Sequence, residues 1–252
     1  MVEGTQQPAC AVHNRNGRSP FVLVCDHASN RIPEPYGTLG LSAVERVSHI
    51  AWDPGALAVC HELVDTLDCA LVASTVSRLI IDCNRQHDAP DLILPLSELT
   101  PIPGNAEVSP LERAHRIEAY HRPFHEAIAG LLDERAARGQ ETVLVAMHSF
   151  TPIYKGVSRP WEIGVIHARD EAMTRALADA LKADAPEINV GWNEPYKALN
   201  GVTYTLEYHG DGRNLVSTMI EIRNNEILEP AGVTQWAQRL ARCLPKARGA
   251  LR

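Results

Sequence analysis

Short apolar runs alternate with amphipathic stretches along most of the chain. Apolar runs of about four to eight residues are typical of strands buried on both faces, whereas apolar residues at helical spacing indicate helices packed on them. Three amphipathic stretches predict helices, at residues 54–67, 170–184 and 230–244. The apolar runs predict buried strands at FVLVC (21–25), CALVAS (69–74), RLIIDC (78–83), TVLVAMH (142–148), EIGVIHA (162–168) and TMIEIRN (218–224).

A further, longer helix begins at residues 109–112, Ser-Pro-Leu-Glu. Serine at the cap, proline in the first turn and glutamate three residues after the serine form a capping-box pattern. Pro123 interrupts the apolar stripe that follows, so we expect a kink there, or two helices that meet. The segment from Gln86 to Ala106 contains four prolines and predicts a long irregular loop before this helix.

The near-continuous apolar strands predict an α/β fold in three layers, with helices on both faces of a central sheet. The sequence contains no internal repeat, low-complexity tract or linker-like segment. We therefore expect one domain over residues 1–252, with residues 1–19 as a loosely ordered N-terminal extension.

Composition is that of a soluble globular protein, with 45% hydrophobic and 22% charged residues among 252. Acidic and basic residues are interspersed and give a net charge of −7, which argues against a nucleic-acid surface but permits a few arginines to bind a small anion. No apolar stretch approaches the ~20 residues that span a bilayer. We expect a small-molecule substrate and no nucleic-acid or membrane partner; the sequence does not predict the oligomeric state.

The cysteines and the N-terminus predict a cytoplasmic location. Six cysteines occur without a C-x-x-C pair, and several lie within apolar segments, which is typical of buried free thiols in a reducing compartment. The N-terminus lacks a basic start followed by an apolar segment, so no secretory signal is predicted.

Polar and charged side chains follow the predicted strands at the points where they end. Because ligands of open α/β sheets bind beyond the carboxyl ends of strands, this pattern predicts a site at one sheet edge. The residues concerned are Asp26, His27, Asn84, Arg85, His148, His167, Glu221 and Arg223.

Two of these histidines could serve a metal. His27 and His148 come from different strands, as the imidazole ligands of a catalytic zinc site do. Asp53, in HIAWDPGA, could supply the third ligand; alternatively, it caps the following helix. Each histidine could also be structural, as a residue type of intermediate burial.

Glu221 stands among apolar residues of TMIEIRN and needs compensation if it is buried. A metal or a catalytic pocket would provide it; alternatively, Arg78 or Arg223 neutralises its charge. Asp82 and Arg85 could likewise form a simple ion pair.

Several segments together resemble the N-formylglutamate amidohydrolase family. They are DHASNRIP, WDPGA, SRLIIDCNR, YHRPFH, VAMHSF and IEIRNN, in the family's order, between residue 21 and about residue 225. The resemblance implies a mixed sheet between helices, as in zinc carboxypeptidases and aspartoacylase. It also implies hydrolysis of an N-acylated amino acid to a carboxylic acid and the free amino acid.

The resemblance implies a role for individual residues. His27 and His148 match ligands of Zn²⁺ or another divalent metal, Asp53 is the candidate third ligand, and Glu221 matches the general base. This chain has DHAS and AWDP where the best-known family members read closer to P-H-S-G and D-W-H, so the acyl group and the amino acid are not predicted.

The candidates for substrate binding are mostly arginines. Asn84 and Arg85 resemble the Asn-Arg pair with which carboxypeptidases hold a substrate carboxylate, through a planar guanidinium fork. Arg78 and Arg223 are candidates for a second carboxylate or for the tetrahedral oxyanion. His209 lies in YHGDGR, which we expect to be a flexible loop near the site.

Other interpretations of the sequence are weaker. His121 and His125, in H-R-P-F-H, lack the glutamate of a helical H-E-x-x-H protease, so a solvated or site-lining face is expected instead. Cys25 beside His27 would need an activated, exposed setting for cysteine catalysis. From a different class, a metal-free sensor of acyl-amino acids would need Arg85 but neither zinc nor Glu221.

Overall fold

A mixed sheet of seven strands forms the centre of the fold in the computed structural model, which describes residues 7–196 and 201–251. The strands are β1 (Cys10–His13), β2 (Phe21–Cys25), β3 (Ala70–Ser74), β6 (Val143–Phe150), β9 (Ile163–Ile166), β10 (Val190–Trp192) and β11 (Val216–Arg223). Their order in the sheet is β1-β3-β2-β6-β11-β9-β10. Strands β3, β2, β6 and β11 are parallel neighbours, β1 runs antiparallel to β3, β9 runs antiparallel to β11, and β10 is parallel to β9.

Two short hairpins lie outside this sheet. One pairs β4 (Leu96–Ser97) with β5 (Thr100–Pro101), and the other pairs β7 (Ile153–Tyr154) with β8 (Val157–Ser158). The helices are α1 (Ala56–Leu67), α2 (Pro110–Arg116), α3 (Arg122–Ala137), α4 (Ala172–Asp184) and α5 (Pro230–Gly249). None of the described helices is long and apolar enough to cross a membrane.

Alternate residues of each central strand point to opposite faces, so both faces of the sheet are apolar. Leu23 of β2 belongs to the cluster that contains residues of α1, α4 and α5, whereas Val22 and Val24 belong to the cluster that contains residues of α3. Helices thus cover both faces of a mixed sheet. The predicted three-layer α/β fold is confirmed.

Most predicted elements are confirmed, but RLIIDC (78–83) is not a strand. Leu79, Ile80 and Ile81 are buried in a third apolar cluster, which packs among the loops between β2 and α2. An apolar run shows that a segment is buried, and it does not by itself fix an extended conformation. The prediction of a strand was therefore wrong here, although the prediction of burial was correct.

The N-terminal region also differs in part from expectation. Residues 10–13 form the edge strand β1, which pairs antiparallel with β3. They are not part of a loosely ordered extension, because this pairing attaches them to the sheet. Residues 1–6 of the expected extension lie outside the described part of the chain.

The helix predicted from residue 109 is continued through a π-helical turn. Ser109 accepts a hydrogen bond from the backbone N–H of Glu112, as the capping pattern predicts. The turn from Ile117 to His121 is π-helical and joins α2 to α3, with Pro123 in the first turn of α3. The interruption predicted at Pro123 is therefore the junction at which two helices meet.

Gly164 of β9 lies at a close crossing of the chain. It pairs with Glu221 of β11, and a Cβ atom on Gly164 would lie 1.7 Å from the carbonyl oxygen of Glu194. Only a residue without a side chain permits the segment of Glu194 to pass this close to the sheet.

We expect Gly164→Ala to lower the free energy of unfolding by about 1–3 kcal/mol, because the added methyl group must displace backbone. Gly130→Ala in α3 is the matched control. No atom lies within 4 Å of a Cβ atom placed there, and alanine is the better helix former. Urea unfolding of both variants measures the difference; a Gly164→Ala protein as stable as wild type would contradict this account.

Candidate active site

The candidate site lies at the carboxyl edge of the parallel strands. The register of β6 and β11 places His148 directly beside Glu221. Strand β2 ends at Cys25, so Asp26 and His27 follow at the same edge. Residues from three neighbouring strands therefore meet without any long loop having to bring them together.

Two imidazoles converge on one carboxylate at this edge. Asp53 Oδ2 lies 3.2 Å from His27 Nδ1 and 2.9 Å from His148 Nδ1. The other ring nitrogens also face carboxylates: His27 Nε2 lies 2.7 Å from Asp82 Oδ1, and His148 Nε2 lies 3.2 Å from Asp26 Oδ2. All five side chains are buried.

Asp53 is placed by backbone contacts. Its N–H donates to the carbonyl oxygen of His27, and its Oδ2 accepts from the N–H of Ser149 at 3.4 Å. It does not cap α1, because Gly55 occupies the cap position and no side chain there accepts a cap hydrogen bond. The structure therefore sets aside the alternative that Asp53 is a helix cap and brings its carboxylate to the two histidines.

The acidic groups of the site control the charge of the imidazoles. Burial works against protonation of His148, but the adjoining Asp26 and Asp53 carboxylates raise its pKa well above the ordinary histidine value. Burial and the nearby Arg78 guanidinium likewise oppose protonation of His27, yet Asp82 and Asp53 raise its pKa. The site thus attracts positive charge.

This environment fits a divalent metal ion. Ligand atoms of His27, Asp53 and His148 lie within 4.8 Å of one another. Two histidines and a carboxylate are a ligand set of catalytic zinc sites, and the carboxylates behind the two rings would fix their orientation. Among the described residues, Asp26 Oδ2, His148 Nε2 and Glu221 Oε2 are buried without a hydrogen-bond partner. A cation at this centre would compensate the unmatched acidic oxygens.

Glu221 is 4% exposed and adjoins the histidine–carboxylate centre. Burial raises its pKa to about 7, partly offset by the nearby His148. A carboxyl group with such a pKa can exchange a proton near neutral pH.

A cavity of about 330 Å³ opens in front of this centre. Arg78, Asn84 and Arg85 line it, together with His27, Asp53, His148 and Glu221. The structure therefore brings together seven of the residues that the sequence predicted for the site.

The three substrate-binding candidates in the cavity are held by protein contacts. Arg78 lies 2.6 Å from Asp82 and 3.6 Å from Asp53. Arg85 Nε donates to Asp91 at 2.6 Å. The Asn84 amide is held on both sides, because its Nδ2 donates to the carbonyl oxygen of Val202 and its Oδ1 accepts from the N–H of Thr205.

Two predicted candidates do not reach the cavity. Arg223 points away and pairs with Glu226 at 2.7 Å and Glu162 at 3.2 Å. His209 is fully buried against His125, in a π-helical turn followed by a 3₁₀ turn, so the flexible loop expected for YHGDGR was also wrong. The sequence did not show that Arg223 and His209 are already bonded to other residues of the fold.

The sequence did not predict that Asp26 and Asp82 are the acidic partners of the two imidazoles. The signal was present, because Asp26 directly precedes His27 and Asp82 follows the apolar run RLII. Asp82 lies at the end of an irregular segment. The rule that the carboxyl ends of strands meet at one sheet edge therefore could not predict that it faces His27.

Four further histidines form two pairs behind the segment 83–85. His121 Nε2 donates to the carbonyl oxygen of Arg85, and its Nδ1 lies 2.9 Å from His87 Nε2. Burial lowers the pKa of His121 to about 3, with a contribution from the nearby His125. These rings are therefore neutral and act as hydrogen-bonding groups.

The second pair repeats this arrangement one turn along the helix. His125 Nε2 donates to the carbonyl oxygen of Cys83, and its Nδ1 lies 2.9 Å from His209 Nε2. The solvated or site-lining face expected for His121 and His125 is not what the structure has: both rings are buried and bond to the backbone of residues 83–85. His167 lies elsewhere, bonded to Asn193 and to the carbonyl oxygen of Ala168.

The fold and the site define an α/β protein with a buried histidine–carboxylate centre at the carboxyl edge of its parallel strands. A family model described as N-formylglutamate amidohydrolase matches residues 19–228. This chain belongs to the N-formylglutamate amidohydrolase family, which places it among hydrolases of that type.

Solved structures show the same fold. A gene product from Agrobacterium tumefaciens is 40% identical, covers 97% of this chain and 96% of its own, and superposes with a TM-score of 0.94. The N-formylglutamate amidohydrolase from Ralstonia eutropha is 20% identical over 96% of this chain and 97% of its own, with a TM-score of 0.69. At that identity the likeness concerns the fold alone. No curated protein matches significantly.

We expect His125→Ala to lower the free energy of unfolding by about 1–3 kcal/mol, because it leaves the buried carbonyl of Cys83 and the ring of His209 unsatisfied. His115→Ala, at an exposed position of α2, is the control and should stay within about 0.5 kcal/mol of wild type. Chemical unfolding measures both. Equal stability of the two variants would show that the pair behind residue 83 contributes little.

Proposed function

We propose that this chain is a metal-dependent amidohydrolase that cleaves the amide of an N-acyl amino acid such as N-formylglutamate. The products are the free amino acid and a carboxylic acid. Membership of the family supports the reaction class. The observation that carries the metal dependence is the convergence of His27, Asp53 and His148 beside Glu221.

His27, Asp53 and His148 would hold the metal, which we propose to be Zn²⁺. When bound, zinc supplies Lewis acidity that polarises an amide carbonyl and makes water more acidic. Asp82 and Asp26 orient the two imidazoles from behind, and hydrogen bonds of this kind raise the basicity of histidine ligands.

Glu221 is the proposed general base. Its position beside His148 places its carboxylate at the wall of the cavity, with one oxygen free of hydrogen bonds among the described residues. In its ionised form it accepts a proton from the attacking water. It then donates that proton to the leaving nitrogen, so that the product departs as an amine.

Arg85 and Asn84 are the proposed partners of the substrate α-carboxylate. Arg85 uses its Nε on Asp91 and its Nη1 on backbone carbonyls, and its side chain remains partly open to the cavity. A guanidinium edge matches the two oxygens of a carboxylate. Arg78 adds positive charge near the reacting centre but is already paired with Asp82.

The predicted substrate is thus a small anionic molecule, and we keep the cytoplasm as the proposed location. All six cysteines are free and five of them are buried, as expected for a reducing compartment.

Replacing His27 or His148 by alanine should lower metal content at least tenfold, a loss typical of compromised coordination. Elemental analysis of the dialysed proteins measures this, with His115→Ala as the control for general effects of losing an imidazole. Full metal occupancy in both variants would rule out the proposed ligands. Wild-type protein that contains no metal as purified, gains no activity when zinc is added and still binds acyl-amino acids would instead indicate a sensor.

Glu221→Gln should keep the fold and the metal but lose about 10²–10⁴-fold in kcat, because glutamine preserves shape and cannot accept the proton. Amine release from N-formyl and N-acetyl amino acids gives the rate, and elemental analysis of the same sample gives the metal. If the variant retains wild-type turnover, Glu221 has a structural role only.

A further inference from the structure

Four arginines of the described residues are buried, and three of them are matched by acceptors in the fold. Arg116 donates to Glu112, Asn105 and the carbonyl oxygen of Ile80; Arg135 donates to Thr142 and to backbone carbonyls; Arg239 lies 3.6 Å from Asp184. The fourth, Arg159, is 8% exposed, and within the described ranges no carboxylate lies at ion-pair distance from it. Its side chain makes one long hydrogen bond, 3.4 Å from Nη1 to Tyr196 Oη.

Three aromatic rings that line the cavity pack against the Arg159 guanidinium. Its central carbon lies 4.4 Å from the ring centre of Tyr154, 4.9 Å from that of Tyr196 and 5.8 Å from that of Phe150. All three rings line the cavity that contains Glu221. Cation–π contacts attract the charge, but a ring does not replace a carboxylate as the acceptor of its N–H donors.

Arg159 has no ion-pair partner among the residues that the structure describes. A guanidinium has five N–H donors, and a buried charge without compensation is costly. Tyr196 accepts one of these hydrogen bonds, while its own hydroxyl has no acceptor among the residues described. Burial raises the pKa of Tyr196 to about 12, so the hydroxyl keeps its proton and remains a donor. Two neighbouring donor groups are therefore available to one anion.

The arginines that line the cavity, Arg78 and Arg85, are less available to an anion. Arg78 is paired with Asp82, and Arg85 with Asp91, each at 2.6 Å. Arg159 differs from them because aromatic rings surround its guanidinium, and the Glu98 carboxylate acts on it only from beyond ion-pair distance. Planar guanidinium groups bind carboxylates through two parallel hydrogen bonds, and a carboxylate is the anion that an amino-acid side chain supplies.

We propose that Arg159 and Tyr196 form the subsite for the side-chain carboxylate of the substrate. The inference rests on the proposed function and assigns its specificity for an acidic amino acid to these two residues. Arg85 then holds the α-carboxylate, and Arg159 distinguishes an acidic side chain from a neutral one of the same shape.

The test compares N-formylglutamate with N-formylglutamine, which differ in the charge of the side chain. Arg159→Met keeps an apolar stem against the rings and removes the charge. It should raise KM for N-formylglutamate by about tenfold to a hundredfold, as expected for loss of charge-assisted hydrogen bonds, with kcat changed by less than about threefold. KM for N-formylglutamine should change by less than about threefold.

Arg175→Met is the matched control, because Arg175 also stacks on an aromatic ring, that of Trp192, on α4. It should leave both substrates unaffected. An Arg159→Met enzyme whose kcat falls equally for both substrates, with KM unchanged, would place Arg159 in the chemistry and overturn the subsite. An Arg159→Met enzyme that prefers N-formylglutamate over N-formylglutamine as strongly as wild type does would overturn it as well.

Binding of glutarate, measured by calorimetry, keeps this test independent of turnover. If wild type hydrolyses neither substrate, the proposed function fails, yet glutarate bound at least tenfold more weakly by Arg159→Met would still support the subsite. Equal binding by both proteins, or no binding by wild type, would overturn it. Should Arg159→Met fail to fold, Arg159→Lys replaces it in both measurements, because lysine keeps the charge and loses the planar fork. An Arg159→Lys protein that distinguishes N-formylglutamate from N-formylglutamine as well as wild type does would contradict the proposal.

Discussion

The concentration of buried acidic groups at one sheet edge is the constraint on which the rest of the site depends. Asp26, Asp53, Asp82 and Glu221 are all buried there, and charges taken out of water need compensation. Two imidazoles and the Arg78 guanidinium provide part of it. Each histidine contacts two carboxylates, one through each ring nitrogen, so the orientation of both rings is determined by acidic partners on either side.

The loops that complete the site have an apolar core of their own. Leu79, Ile80, Leu92 and Ile102 are almost fully buried in the third apolar cluster, away from the two faces of the sheet. Polar contacts satisfy the backbone of these loops: Asn105 donates to the carbonyl oxygens of Leu79 and Leu94. Asp82 therefore extends from a packed segment, which explains how an irregular stretch can hold a carboxylate 2.7 Å from His27.

The two hairpins are joined to each other at the rim of the cavity. Glu98, between β4 and β5, accepts from the N–H of Lys155 at the turn of the other hairpin and lies 2.8 Å from His49 Nε2. These residues line the cavity together with the rings under Arg159. This wall of the cavity is thus built from segments far apart in sequence, and its chemistry depends on their packing.

The sequence was sufficient to predict the sheet, the helices on both faces and the core of the site. His27, His148 and Glu221 could be found because strand ends meet at one edge, and this rule depends only on the apolar pattern of each strand. Edge strands β1 and β10 were missed because they are short and only partly buried. The charge partners of arginines could not be predicted from the sequence. Neither Arg223 nor Arg159 stands in a motif that indicates its partners, and only the tertiary contacts show that Arg223 is paired with acidic residues and that Arg159 is not.

Histidine illustrates why such roles depend on the surroundings. Carboxylates raise the pKa of His148 well above its ordinary value, whereas burial lowers the pKa of His125 to about 4, aided by the neighbouring His209. The segment 82–85 lies between these two environments: its Asp82 carboxylate faces a histidine of the centre, and its Cys83 carbonyl faces a neutral one. The side chain of Asp82 therefore contacts a histidine whose pKa is raised, whereas the backbone carbonyl of Cys83 accepts from a histidine whose pKa is lowered. This segment connects the position of Arg85 and Asn84 to the geometry of the histidine–carboxylate centre, so the placement of Arg85 and the orientation of His27 depend on the same few hydrogen bonds.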